Sequence, residues 1–176
     1  MSDYLRAWIP GGTYFFTVNL AERQNNSLLV DRIALLRRAF REVNASHPFE
    51  LGAIVVLPEH LHCLWHLPSG DNRFDQRWRL IKTAFSRSLI VDEPIAPNRQ
   101  RRGERGIWQR RYWEHVIRDE EDWWRHVEYI HYNPVKHGHV RRVCDWPHSS
   151  FHRFVRRGLY PADWAAPKFI QELNHE

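Results

Sequence analysis

The period of the apolar pattern switches repeatedly along this chain, and the order of those switches limits the fold more than any other feature. Residues 13–20 alternate. Tyr14, Phe16, Val18 and Leu20 share one side, and Thr13, Phe15, Thr17 and Asn19 share the other, as in a half-buried strand. Residues 30–46 change to helical spacing, with Ile33, Leu36, Phe40 and Val43 on one stripe, and His47-Pro48 closes the segment. Residues 49–57 are β-branched and apolar, which predicts a buried strand, and Pro58-Glu59 leads directly into another strand over 60–67. Helical spacing returns over 73–91 through Trp78, Ile81, Phe85 and Leu89, followed by strand-like sequence over 112–118. Asp119 opens a helix that is expected to run to about Asn133, where Pro134 limits it. The order β-α-β-β-α-β-α predicts an α+β protein with a ferredoxin-like (split βαβ) antiparallel sheet. Its helices should cover one sheet face and leave the other free for a site, with an extra helix and a C-terminal tail added.

The chain has 176 residues, 43% of them hydrophobic, which suits one folded domain over 1–176 with a real core. Its net charge of +5 favours a polyanionic partner, nucleic acid ahead of a membrane surface. The charge is concentrated. DEPIAPNRQRRGERGIWQRR, about 92–111, holds six Arg, two Pro and two Gly, the composition of a basic loop. From about 136 to 176 the sequence reads as an irregular basic tail. Cys63 and Cys144 make no disulfide framework, which fits a reducing cytoplasm. The start, MSDYLRAWIPGGTYFF, lacks a secretory pattern, and the apolar run at 53–57 is far too short to span a bilayer, so no membrane association is expected. The nine Trp either fill the core or offer stacking platforms to unpaired bases, and composition leaves both readings open.

The strand over 60–67 carries the first candidate site. Leu61, Cys63, Trp65 and Leu67 form its apolar side, while His60, His62 and His66 share the other with Leu64. Imidazoles two apart on one strand face can reach a single metal ion. With 12 His in the chain such a pair also arises by chance, as His137 and His139 illustrate. A ligand pair and two polar surface histidines both remain possible. A catalytic metal usually takes a third protein ligand, which must come from elsewhere in the chain.

The helix from Asp119 carries the second. At ~100° per residue, Trp123, Val127, Ile130 and Pro134 form its core stripe. Tyr129 and Asn133 lie together off that stripe, with His126 one turn earlier on the same side. Tyr132 is the rival phenol, ~60° from Tyr129 on the side away from Asn133. Helical geometry alone leaves both tyrosines open. The amide of Asn133 favours Tyr129, because Asn133 could then be the missing ligand beside a nucleophile.

Together these pieces resemble the single-tyrosine HUH transposases, most of all the REP-associated tyrosine transposases. The matching segments are GGTYFFTVNL, VVLPEHLHCLWHLPSGD, IWQRRYWEHVIRDEEDWWRHVEYIHYNPVKHG and DWPHSSFHRFVRRGLYPADW, nearly the whole chain. The resemblance implies that His60 and His62 are the two histidines of the HUH motif, that Tyr129 is the nucleophile, and that Asn133 completes a site for Mg²⁺ or Mn²⁺. It implies strand nicking and rejoining through a 5′-phosphotyrosine link. The substrate would be single-stranded or hairpin DNA of the repetitive extragenic palindrome kind. A monomer and a cytoplasmic, nucleoid-associated location in a bacterium follow from the same resemblance. Candidate phosphate contacts are Lys82, Arg99, Arg101, Arg102, Arg105, Arg110, Arg111, Arg141, Arg142, Arg153, Arg156 and Arg157. Two rival readings are a non-catalytic nucleic-acid-binding module of the same fold, and a metal-dependent nuclease that uses water.

Overall fold

The computed structural model describes residues 7–89 and 106–173. Four strands, β1 (Thr13–Asn19), β2 (Glu50–Val56), β3 (His60–His66) and β4 (Trp113–Val116), form one antiparallel sheet in the order β2-β3-β1-β4. β1 reaches β2 through α1 (Leu28–Asp31) and α2 (Ile33–Ser46), and β3 lies between them in the sheet. This is the split βαβ connection expected from the pattern. The helical stretch read as one piece is interrupted at Arg32, whose backbone (φ −112°) leaves the helical region between α1 and α2. α3 (Phe74–Ser88) joins β3 to β4.

One sheet face packs against α2 and α3. The even positions of β1 and the odd positions of β3 meet Leu36, Phe40, Phe74, Trp78, Ile81 and Phe85 there. Trp65 stacks on Trp78 with ring centres 4.4 Å apart and on Phe49 at 4.3 Å, so much of the aromatic content is core. Arg77 is buried with them. It forks onto Asp71 (2.7 and 3.1 Å) and caps the Pro48 and His47 carbonyls, which satisfies a charge that burial alone would make very costly.

The opposite face is not left open as the pattern suggested. α4 (Glu120–Lys136) and the segment after it cover it with a second core that includes Phe15, Ala53, Val55, Leu64, Val127, Ile130, Phe151 and Phe154. The tail read as irregular contains a 3-10 turn (Val143–Asp145), α5 (Phe151–Arg156) and α6 (Lys168–Gln171). Its aromatics make this possible: Phe151, Phe154 and Tyr160 close around His131 of α4. α4 starts where expected, with the Asp119 carboxylate accepting from the Asp122 N–H (2.8 Å), a cap worth about 1 kcal/mol. Its end differs. Pro134 lies inside the last turn, where a missing N–H removes only one bond. The stop is Gly138, in the left-handed region (φ +71°), with His139 N–H on the Pro134 carbonyl and Gly138 N–H on the Val135 carbonyl.

Candidate active site

β3 and α4 face each other across the second core, and the candidate residues meet there. His60 and His62 point from β3 toward α4 with ring centres 4.9 Å apart, and both are fully buried. The neighbours of each fix the ring. His60 Nδ1 donates to Glu59 Oε1 (2.9 Å), and Glu59 also takes Arg23 Nη2 at 3.2 Å. Burial pushes the Glu59 carboxyl up, but the hydrogen bonds from His60 and Arg23 outweigh it and hold the group down at about 2. His62 Nδ1 shares a hydrogen bond with Thr17 Oγ1 (2.9 Å), its cross-strand partner on β1.

From the helix side, Tyr129 and Asn133 bring a phenol and an amide to the same place, both with no exposed surface. The Tyr129 ring centre lies 5.4 Å from that of His62 and 6.0 Å from that of Phe15. Lys136, two turns on, donates to the phenol oxygen (3.4 Å) and to the Leu173 carbonyl (2.8 Å). Burial of Tyr129 was not expected from the helical pattern. It follows from the sheet, whose Phe15 and His62 meet the phenol, while the tail packs on His131, so the helix is buried on two stripes rather than one. Tyr132 sits half-buried at the margin of the same core.

His126 does not join this group. Phe15 stands between, 4.8 Å from the His126 ring, and His126 belongs to a separate cluster. There Asp122 accepts from His115 Nε2 (2.9 Å) and lies 3.2 Å from His126 Nδ1, while the two imidazoles stack at 4.6 Å.

The buried polar atoms of His60 and Asn133 test the expected metal. Among the described residues His60 Nε2 and both amide heavy atoms of Asn133 are buried and without a hydrogen-bond partner. Buried polar atoms are rarely left so. Two imidazoles held at Nδ1 by Glu59 and Thr17, together with a buried amide, are a set of donor types that fits a divalent first-row ion.

The chain is 51% identical to the REP-associated tyrosine transposase of Escherichia coli over 165 residues, spanning 94% of this chain and 92% of that one. It belongs to the REP-associated tyrosine transposases. A Haemophilus influenzae relative of the same family name is 48% identical over 165 residues. A solved structure of a REP-associated tyrosine transposase bound to a REP hairpin matches with a TM-score of 0.81 at 50% identity, covering 95% of this chain and 93% of that chain. No family model matches. The four-stranded α+β architecture is thus that of a transposase of this family.

The basic residues separate into groups on this transposase fold. Arg99, Arg101, Arg102 and Arg105 lie outside the described residues. The described end of the basic loop is not irregular: Ile107 and Gln109 extend the backbone pairing at the end of β1 through Ala21 and Asn19. Lys82 is spent on this anchorage. Its ammonium donates to the Gln109 carbonyl (2.9 Å) and lies 5.2 Å from the centre of the Tyr112 ring, on α3 and across the sheet from the histidines. Arg153 is likewise structural: Nη2 caps the carbonyls of Leu51 (3.1 Å) and Gly52, where a register shift interrupts the β2–β3 ladder. Arg142 is paired with Asp145, while Arg110, Arg111, Arg141, Arg156 and Arg157 are exposed. No helix among the described residues is long and apolar enough to cross a membrane.

Glu59, Thr17, Lys136 and His137 were not singled out as site residues. Thr17 had a signal, its place on the polar side of β1. Lys136 had none while the helix was read as ending at Asn133, and His137 figured only in a chance pair with His139.

Proposed function

We propose that this transposase cuts and rejoins single-stranded or hairpin DNA by covalent catalysis, with Tyr129 as nucleophile and a divalent ion held by His60, His62 and Asn133. The observation that carries the reading is the 5.4 Å approach of Tyr129 to His62, beside the His60–His62 pair.

The relative whose structure holds a REP hairpin supports DNA of that kind as the substrate. The bound ion, Mg²⁺ or Mn²⁺, supplies Lewis acidity to a phosphodiester oxygen. The residues do the rest. Glu59 and Thr17 hold the two imidazoles by Nδ1 so that Nε2 is the ligand atom. Tyr129 attacks phosphorus, the bond to the 3′-oxygen breaks, and a 5′-phosphotyrosine link forms. The phenolic proton passes to water and the departing 3′-oxygen regains one. The Lys136 ammonium, already on the phenol oxygen, steadies the charge that develops there. Because Tyr129 has no exposed surface, a phosphate reaches it only after the packing around the phenol opens.

The test is a labelled hairpin incubated with the protein and Mn²⁺, then run on a denaturing gel. A labelled band at the mass of protein plus DNA is expected. Cleaved DNA with no such band would overturn the covalent reading in favour of metal-activated water. Binding with neither product would leave a nucleic-acid-binding module.

A further inference from the structure

His137 and His139 form a second histidine pair with a one-residue gap, and the structure separates their fates. The His139 side chain is exposed and its ring leans on Trp146, 5.3 Å away. The His137 ring, 6.1 Å from that of His139, also reaches His60. Its ring centre lies 5.2 Å from that of His60 at 73°, almost repeating the relation of His60 to His62, 4.9 Å and 83°. With metal–nitrogen bonds of about 2.1 Å, two imidazoles on one ion place their ring centres on the order of 5 Å apart. His60 therefore stands between two rings, each at the separation that shared ligation requires.

We propose that His137 is a further protein ligand of the divalent ion, completing a set with His60, His62 and Asn133; this rests on the metal assignment made above. The helix supports it. Tyr129, Asn133 and His137 follow one another at four-residue spacing, so the stripe that carries the nucleophile and the amide continues to this imidazole. His137 N–H still donates to the Asn133 carbonyl (3.0 Å), so the turn persists through His137 before Gly138 ends it. His60 Nε2 is buried without a hydrogen-bond partner among the described residues, at the centre of this arrangement. Three imidazoles and one amide oxygen are borderline donors. They favour Mn²⁺ or Co²⁺ over Mg²⁺, which prefers oxygen and holds its water. An ion taking about six ligands keeps room for a phosphate oxygen.

The experiment uses the full chain carrying Tyr129→Phe, which cannot turn over, titrated with Mn²⁺ alone by calorimetry and with Co²⁺ alone by visible absorption. Adding His137→Ala should weaken Mn²⁺ by about tenfold or more and shift the Co²⁺ bands, as loss of a nitrogen donor demands. Adding His139→Ala should change neither. Thermal unfolding without metal should be the same for all three proteins, because His137 is a half-exposed residue at the helix end. Unchanged Mn²⁺ affinity and Co²⁺ spectrum in His137→Ala, while His60→Ala abolishes both, overturns the role of His137 and leaves the His60 site standing. Absence of Mn²⁺ and Co²⁺ binding in the parent overturns the metal assignment and this inference with it.

Discussion

Thr17 Oγ1 lies 2.9 Å from Nδ1 of His62, directly across the β1–β3 ladder. A proton on Nδ1 donated to this hydroxyl would leave Nε2 as the nitrogen for the proposed ion, which is the tautomer a ligand needs. Replacing Thr17 by Val keeps the shape and removes the bond. Metal affinity should fall by about 10- to 100-fold, the usual result of losing such an outer partner. Stability should drop by only about 1 kcal/mol. Calorimetric metal titration beside a urea melt separates the two effects, and equal Mn²⁺ affinity in Thr17→Val would refute the positioning role.

Tyr129→Phe removes one oxygen from a fully buried ring and leaves the packing on Phe15 and His62 intact. The variant should stay folded, bind hairpin DNA and give neither strand cleavage nor a covalent adduct. Tyr132→Phe, at the margin of the core, should keep most activity. Peptide mapping of the adduct decides between them. An adduct on Tyr132 would overturn the assignment.

The arginines near the C-terminus should divide by what they hold. Arg153→Ala strips the caps from the Leu51 and Gly52 carbonyls and should cost about 1–3 kcal/mol of stability. Arg156→Ala and Arg157→Ala, both exposed, should leave melting unchanged. If they touch phosphate, each should lower the slope of log affinity against log salt by about one. Filter binding across a salt series reads this directly, and identical slopes would remove them from the DNA surface.

Asp122 carries the pH prediction. Burial raises its pKa, but hydrogen bonds from His115 and from the Arg118 amide and guanidinium outweigh that and hold it at about 2, against 3.8 for the free side chain. A depressed folded pKa means the stabilisation is complete above about pH 4 and is lost as pH falls toward 2. The contribution is about 2 kcal/mol. Asp122→Asn should be less stable at pH 7, and the gap to the parent should narrow below pH 4. A gap constant with pH would show that the carboxylate charge plays no part.

The sequence pattern located the sheet well because strand faces repeat every two residues: Tyr14 and Phe16 of β1, and Cys63 and Trp65 of β3, all enter the core they were assigned. The faces on which His60, His62, Tyr129 and Asn133 lie were legible for the same reason, since each is set by local periodicity. What local periodicity cannot show is the company each face keeps. His126 shares a side of α4 with Tyr129, yet the Phe15 ring from a distant strand stands between them. Arg153 has the sequence context of a phosphate contact, but its use is decided by an irregularity in β2, far away in the chain. The place of Lys136 on the helix was hidden by Pro134, read as a terminator although a proline in a final turn removes only one bond.

Where α4 stops also acts as a measure of length. One turn of helix spans about 5.4 Å, so a stop at Pro134 would leave Lys136 and His137 displaced by most of a turn from Tyr129 and His60. Gly138 at φ +71° sets the longer reach. A side chain there faces open space, so Gly138→Ala meets no steric clash and is penalised only by its backbone conformation, by roughly 1 kcal/mol. Such a change would fray the last turn without touching the core, and so loosen the His137 end of the Tyr129–Asn133–His137 stripe while Tyr129 itself stays in place.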